Sequence, residues 1–379
     1  MIKKLTTLTL AALFSLNLAF ADGKLPSKNK GDSPTLNQIL DSRSYNDGIT
    51  DVYSVGDYTV FEIGFNKNAD IFIKSQGSDK LTKITPDDKK YEGNSVAFEN
   101  TIIYESKDKK ESSIYSYNIL TKETTLLVES NASKPSVTDD GKLYFIQELG
   151  EKRDAHKEVS VLDLKTKDIQ VLTNTPEDEM DLEVSSNGDY LAVVVEEEKR
   201  SMIIELYNLD DKNSKLKSSI GFRPKKSTNI EYNQGVEIER NGNYLVNDMV
   251  FVGDSALVYK ITSYDGSKIK SISDFKDKFN SWSSIKSKLQ GSGFYLGSFD
   301  VNDQGDIAYL EEIESGAQRL YVQNIFDSRR KGFSNFKDKL FGDILQVPVV
   351  FADDSDKLIV YDASLKANAY EVNNPANKE

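Results

Sequence analysis

The chain has 379 residues, one histidine, no cysteine and a formal net charge of −13 at pH 7. The acid excess opposes general binding to nucleic acid or anionic lipid, because phosphate contacts need clustered Lys and Arg. The missing cysteines exclude disulfides and thiolate metal sites, and the length exceeds what one compact core usually serves, so domains or repeats must share the burial.

Lys3 and Lys4 precede an apolar run over residues 5–20, too short for a comfortable membrane span, and Ala19-Phe20-Ala21 is an A-x-A cleavage site. Residues 1–21 are expected to be a secretory signal peptide, and the mature protein to be soluble and periplasmic or secreted. Residues 22–48 read as a polar N-terminal extension. Ser33-Pro34-Thr35 can cap a short helix there, and the segment is a candidate for the strand that closes a ring.

From residue 49 one phrase recurs: an acidic or Asn-containing turn with Gly or Ser, then an apolar run. It reads Thr138-Asp139-Asp140-Gly141 before residues 142–146, and Ser185-Ser186-Asn187-Gly188 before residues 189–194. It returns at Asn241-Gly242, at Asp303-Gln304-Gly305 and, more weakly, at residues 353–356. Seven units follow, covering 49–85, 93–128 and 135–173 and then beginning near Asp181, Gly235, Leu296 and Val347. Each reads as three or four short strands rich in Val, Ile, Tyr and Phe. The second strand of most units is an unbroken apolar run, as in residues 191–195, 102–104 and 358–361, so both of its faces must be covered. Blades sandwiched between neighbouring blades supply that cover, and repeats of this length suit them.

Two segments break the rhythm. Residues 273–290 place Phe275, Phe279, Trp282, Ile285 and Leu289 at helical spacing, and residues 334–345 do the same with Phe336, Leu340, Phe341, Ile344 and Leu345. The expected fold is therefore all-β: a seven-bladed β-propeller over residues 49–373, with short helical insertions between the late blades and a disordered tail over 374–379.

Unit three carries a family likeness. Pro135-Ser136-Val137-Thr138-Asp139-Asp140-Gly141-Lys142-Leu143-Tyr144-Phe145 resembles the opening of TolB-like (WD-like) propeller repeats, and residues 159–167 with Val171-Leu172-Thr173 resemble their close. Residues 80–85 and 118–123 echo that close. The resemblance implies propeller architecture and a protein-interaction role in the cell envelope. The turn proline of those repeats is absent here.

Chemistry is sparse by comparison. His156 lies in a charged stretch that reads as a solvated loop, and no Cys or second His stands ready to build a triad or metal site with it. No G-x-S-x-G elbow occurs, and Gly291-Ser292-Gly293 reads as a loop after the helix. Asp300 to Glu311 matches several calcium-loop positions but coincides with the repeated turn, so a hairpin is expected. The acidic run at Glu177, Asp178, Glu179, Asp181 and Glu183 reads as exposed loop charge. Phe275, Phe279 and Trp282 are the candidate binding residues, since aromatic anchors are enriched at hot spots. The expected function is an exported, non-catalytic propeller that binds another envelope or secreted protein or a ligand, with no cofactor, no metal and no nucleic acid. The alternative is a carboxylate-dependent polysaccharide hydrolase or lyase at the central funnel.

Overall fold

The computed structural model describes residues 49–371 apart from 65–68, 76–77, 79, 87–89, 109–110, 151–154, 176, 198–200, 210–217, 223–244, 254–255, 264–265, 274–287, 294–295, 303, 313–317, 327–329, 333–348, 352–356 and 362–366. Among the described residues every regular element is a β-strand. The first sheet contains β1 (Ile49–Val55), β2 (Tyr58–Ile63), β3 (Asp70–Ser75) and β4 (Thr82–Lys83). The second has β5 (Tyr91–Phe98), β6 (Thr101–Lys107), β7 (Ser112–Asn118) and β8 (Thr124–Val128). The third has β9 (Ala132–Val137), β10 (Lys142–Leu149), β11 (His156–Asp163) and β12 (Ile169–Val171). The fourth has β13 (Asp178–Val184), β14 (Tyr190–Glu197), β15 (Ser201–Asn208) and β16 (Ser218–Phe222). The fifth has β17 (Leu245–Val252), β18 (Ala256–Ser263), β19 (Gly266–Ser273) and β20 (Lys288–Gly293). The sixth has β21 (Leu296–Val301), β22 (Asp306–Glu312), β23 (Gln318–Asn324) and β24 (Arg330–Gly332). The last has β25 (Val349–Phe351), β26 (Lys357–Tyr361) and β27 (Ala367–Glu371). Each sheet is an antiparallel meander in chain order.

At three of its occurrences the recurring phrase builds the same hairpin. Thr138 accepts the Gly141 amide on its carbonyl (3.1 Å) and the Lys142 amide on its hydroxyl (3.0 Å), with Gly141 at φ 88°. Ser185 accepts from Gly188 (2.8 Å) and Tyr190 (2.9 Å) in the same way, with Gly188 at φ 81°. Asn302 accepts from Gly305 (3.0 Å) and, through Oδ1, from Asp306 (2.8 Å). Glycine is the residue that enters the left-handed region without a Cβ penalty. A Cβ on Gly141 would also stand 3.0 Å from Phe98 Cζ of the preceding sheet. Gly141→Ala is expected to lower stability by about 1–3 kcal/mol, visible as a lower urea midpoint at unchanged slope.

Successive sheets stack face to face. On β10, Leu143 and Phe145 pack on Val96, Ile103 and Ile114 of the second sheet, while Tyr144 and Ile146 pack on Leu182, Leu191 and Val193 of the fourth. On β14, Tyr190, Ala192 and Val194 turn instead to Leu257, Tyr259 and Ile261 of the fifth sheet. Ala256 and Val258 in turn meet Phe299, Ile307 and Tyr309 of the sixth. The apolar runs over 102–104 and 191–195 are therefore covered on both sides, as their lack of alternation required. First strands touch one another from sheet to sheet, β5 with β9, β9 with β13, β13 with β17 and β21 with β25. At the opposite edge β12 is exposed along its whole length. This is a propeller-type array, with first strands of neighbouring sheets in contact along one side.

Several expectations change. Ser273 ends β19, and Lys288, Leu289 and Gln290 begin β20, so both ends of the segment expected to be helical are strand. Gly291-Ser292-Gly293 is the rest of that strand, not a loop, because these residues pair with Ser267, Lys268 and Ile269 and satisfy the edge of β19. Residues 274–287 and 334–345 lie outside the described residues, as do 1–48 and 374–379. In the fifth sheet the turn between the first two strands follows Val252, with Gly253 at φ 52°, so Asn241-Gly242 precedes the unit's first strand instead of dividing it. His156 begins β11 rather than sitting in a loop, and Glu179 is a strand residue with no exposed surface.

Candidate functional site

Chemistry concentrates on the first strands. Six of them slip register against their neighbour, in β1 between Ile49 and Asp51, in β5 between Gly93 and Val96, in β9 opposite Phe145, in β13 between Glu179 and Asp181, in β17 between Asn247 and Met249, and in β21 between Leu296 and Phe299. A bulge re-aims the side chains around it. Three non-glycine residues at these slips adopt the left-handed conformation, Asn94 (φ 48°), Lys134 (φ 55°) and Asp248 (φ 52°). Such strain persists only where surrounding contacts enforce it.

Those contacts run from sheet to sheet. The Tyr53 hydroxyl donates to Ser95 Oγ (2.6 Å), and Ser95 donates through its amide and hydroxyl to Glu62. Glu105 Oε2 accepts from Asn94 Nδ2 (2.7 Å) in its own sheet and from the Lys134 amide (3.3 Å) in the next. Lys134 Nζ reaches Asp181 Oδ2 (3.4 Å) of the sheet after that. The Val184 amide donates to Ser136 Oγ (3.2 Å), whose hydroxyl donates to Glu183 Oε2 (3.1 Å). Asp248 Oδ2 pairs with Lys260 Nζ at 2.7 Å in a buried ion pair, and Asp300 Oδ2 takes the Phe351 amide at 2.7 Å.

The electrostatics follow from that arrangement. Burial pulls the Lys134 amine toward neutrality, but Asp181, Glu105 and Asp248 overcome it and hold the amine above its ordinary range. Burial, then the charges of Glu62 and Glu105, raise the Tyr91 hydroxyl well above its usual value. Lys134, Asp181, Glu183 and Asp248 border a cleft with Pro135 and Leu182, with room for about one water.

A second cluster joins the third and fourth sheets. Glu158 on β11 and Glu179 on β13 are 1% and 0% exposed. Thr175 touches both, its amide donating to Glu158 Oε1 (3.0 Å) and its hydroxyl lying 3.1 Å from Glu179 Oε1. His156 Nε2 stands 3.2 Å from Glu158 Oε1. Burial, then the charge of Glu158, pushes the Glu179 carboxyl up to about 7.

Among the residues singled out from sequence, Phe275, Phe279 and Trp282 lie outside the described residues. The turn at Asn302 is a hairpin, with Asn302 Nδ2 donating to Gln304 Oε1 (3.0 Å). Sequence reasoning missed Lys134, Asp248 and Glu158, and read Glu179 as exposed loop charge where it is a buried strand residue. A faint signal exists for the last: Met180, Leu182 and Val184 alternate with Glu179, Asp181 and Glu183. Such alternation suggests an exposed polar face, but the register slip between Glu179 and Asp181 puts Glu179 on the buried face of Leu182 and Val184, against the third sheet.

No protein-family model and no curated protein matches this chain. Solved structures do. An oligogalacturonate lyase from Vibrio parahaemolyticus is 12% identical with a TM-score of 0.55, over 85% of this chain and 88% of the lyase. A puromycin-hydrolysing peptidase of Mycobacterium tuberculosis is 8% identical with a TM-score of 0.57, over 91% of this chain and 55% of the peptidase. TolB from Acinetobacter baumannii is 13% identical with a TM-score of 0.46, over 69% of this chain, which spans 58% of that TolB. At such identities the likeness concerns fold, and fold does not carry function.

Proposed function

We propose that this protein is an exported, non-catalytic, seven-bladed β-propeller whose ring faces bind another envelope or secreted protein. The observation that carries the reading is the cross-sheet bonding of the first strands. Their polar groups are engaged across the seams, Tyr53 with Ser95, the Lys134 amide with Glu105 of a second strand and the Lys134 amine with Asp181, so they brace the array instead of facing a substrate. Binding then falls to loops at the ends of the sheets, with Phe275, Phe279 and Trp282 as aromatic anchors. Residues 1–21 act as the export signal, and the extension over 22–48 is the candidate for closing the ring.

A carboxylate-dependent polysaccharide hydrolase or lyase is the competing reading. Glu179, raised to about 7, has the proton affinity a general acid needs at neutral pH, and two neighbours of like fold are oligogalacturonate lyases. Burial weighs against it, since a substrate oxygen would have to pry neighbouring sheets apart to reach Glu179. The deciding measurement is capture from envelope extract at low salt by the mature protein and by a Phe275→Ala, Phe279→Ala, Trp282→Ala variant. A specific partner lost about tenfold or more in the variant is expected, in line with hot-spot truncation. No specific partner, together with cleavage of an acidic polysaccharide by the wild type, would reverse the assignment.

A further inference from the structure

We propose that the seam between the third and fourth sheets is a proton-controlled latch, in which a proton on Glu179, beside Glu158, holds the connection between β12 and β13 in place and its loss releases it. The hydrogen-bond count leads there first. The Thr175 hydroxyl lies 3.1 Å from Glu179 Oε1 and 3.2 Å from the Glu177 carbonyl. A hydroxyl has one proton and cannot donate to both. With a proton on Glu179, Glu179 donates to Thr175 and Thr175 donates to Glu177, so both contacts are made. With Glu179 ionised, one of them is lost.

Desolvation points the same way. Glu158 Oε2 and Glu179 Oε2 are buried without a hydrogen-bond partner among the described residues, and two ionised carboxylates in that setting are costly. The other charged groups on the packed elements offer little relief. On β11 they are His156, at Glu158, Lys157, whose amide donates to Asp178 Oδ1 at 2.9 Å, and Asp163 at the other end of the strand. On β13 they are Asp178, Asp181, engaged with Lys134, and Glu183. On β10 and β14 stand Lys142, paired with Asp140 at 3.2 Å, Glu148, Glu196 and Glu197, and on β15 Glu205, which accepts from the Tyr207 hydroxyl at 2.8 Å.

The sign of the pH effect is fixed by the proton balance. Glu179 is raised from 4.5 to about 7 on folding, so between those values the folded chain holds a proton that the unfolded chain has released. Stability contributed by this site is present at low pH, declines as pH rises through that window and is level above it. The latch is therefore closed in mild acid and open in mild alkali.

Hydrogen exchange of the Thr175 and Lys157 amides, corrected for intrinsic rates, tests this at about pH 5.5 and about pH 8. The full mature chain is expected to lose about tenfold or more of its protection at these amides at the higher pH. Glu179→Gln, whose amide donates to Thr175 as the neutral acid does, should stay protected at both. Glu158→Gln removes the like charge and should move the midpoint of the wild-type step to lower pH. Protection that is independent of pH in the wild type, a step that survives in Glu179→Gln, or a midpoint unmoved in Glu158→Gln would each overturn the proposal. Should Glu179→Gln fail to fold, the Glu158→Gln midpoint decides.

Discussion

Asp248→Asn is expected to cost about 3–5 kcal/mol of unfolding free energy, the usual penalty for stranding one member of a buried ion pair. Lys260 Nζ lies 2.7 Å from Asp248 Oδ2, with the two side chains 4% and 1% exposed. Asparagine tolerates the left-handed backbone that Asp248 adopts at φ 52°, so the substitution tests charge and not strain. Removing Asp248 also takes away one of three acids that hold the Lys134 amine. Lys260→Met in the same chain should recover much of the loss, because it removes the uncompensated cation. Denaturant unfolding of the two variants is the measurement. A loss below about 1 kcal/mol in Asp248→Asn would mean that water reaches Lys260 and that the pair does not brace the fifth sheet.

Phe145→Ala is expected to lose about 3–5 kcal/mol. Phe145 is 0% exposed and sits between the second and third sheets. Its neighbours across the seam are Val96, Ile103 and Ile114, each on a different strand of the second sheet. Such a site relaxes little when a ring is removed, since its walls are backbone-paired strands. A cycle combining Phe145→Ala with Ile103→Val should show coupling, as contacting residues do. Additive losses would place the two residues on separate surfaces and contradict stacking at this seam.

The second strands are the most legible element of the fold in the sequence. Residues 191–195 show no alternation because Leu191, Val193 and Val195 face one sheet and Ala192 and Val194 face another. The turns are legible for an equally local reason: Gly141, Gly188 and Gly305 take positive φ, which their neighbours in sequence already suggest. The end of the fifth sheet is misleading. Trp282 and the two phenylalanines before it promise a helix, and that pattern hides the strand from Lys288 to Gly293, whose pairing depends on β19.

Glu158 and Glu179 show why the site is harder. Nothing near either residue in the chain marks it as buried. They are brought together because one lies on the third strand of one sheet and the other on the first strand of the next. Their shared partner, Thr175, sits in the connection between those sheets. Lys134 and Asp181 form the same kind of pair.

By itself the sequence determined an all-β chain of repeated meanders, with turns at glycine and second strands hidden on both sides. These properties depend on spacing within a few residues and on the cost of leaving apolar side chains in water. Only the tertiary structure decided which charges became buried, which bulges took left-handed backbone, and where burial raised the proton affinity of a carboxyl. Those outcomes depend on the sheet packed alongside, because burial and the nearest charge are set by neighbours remote in sequence.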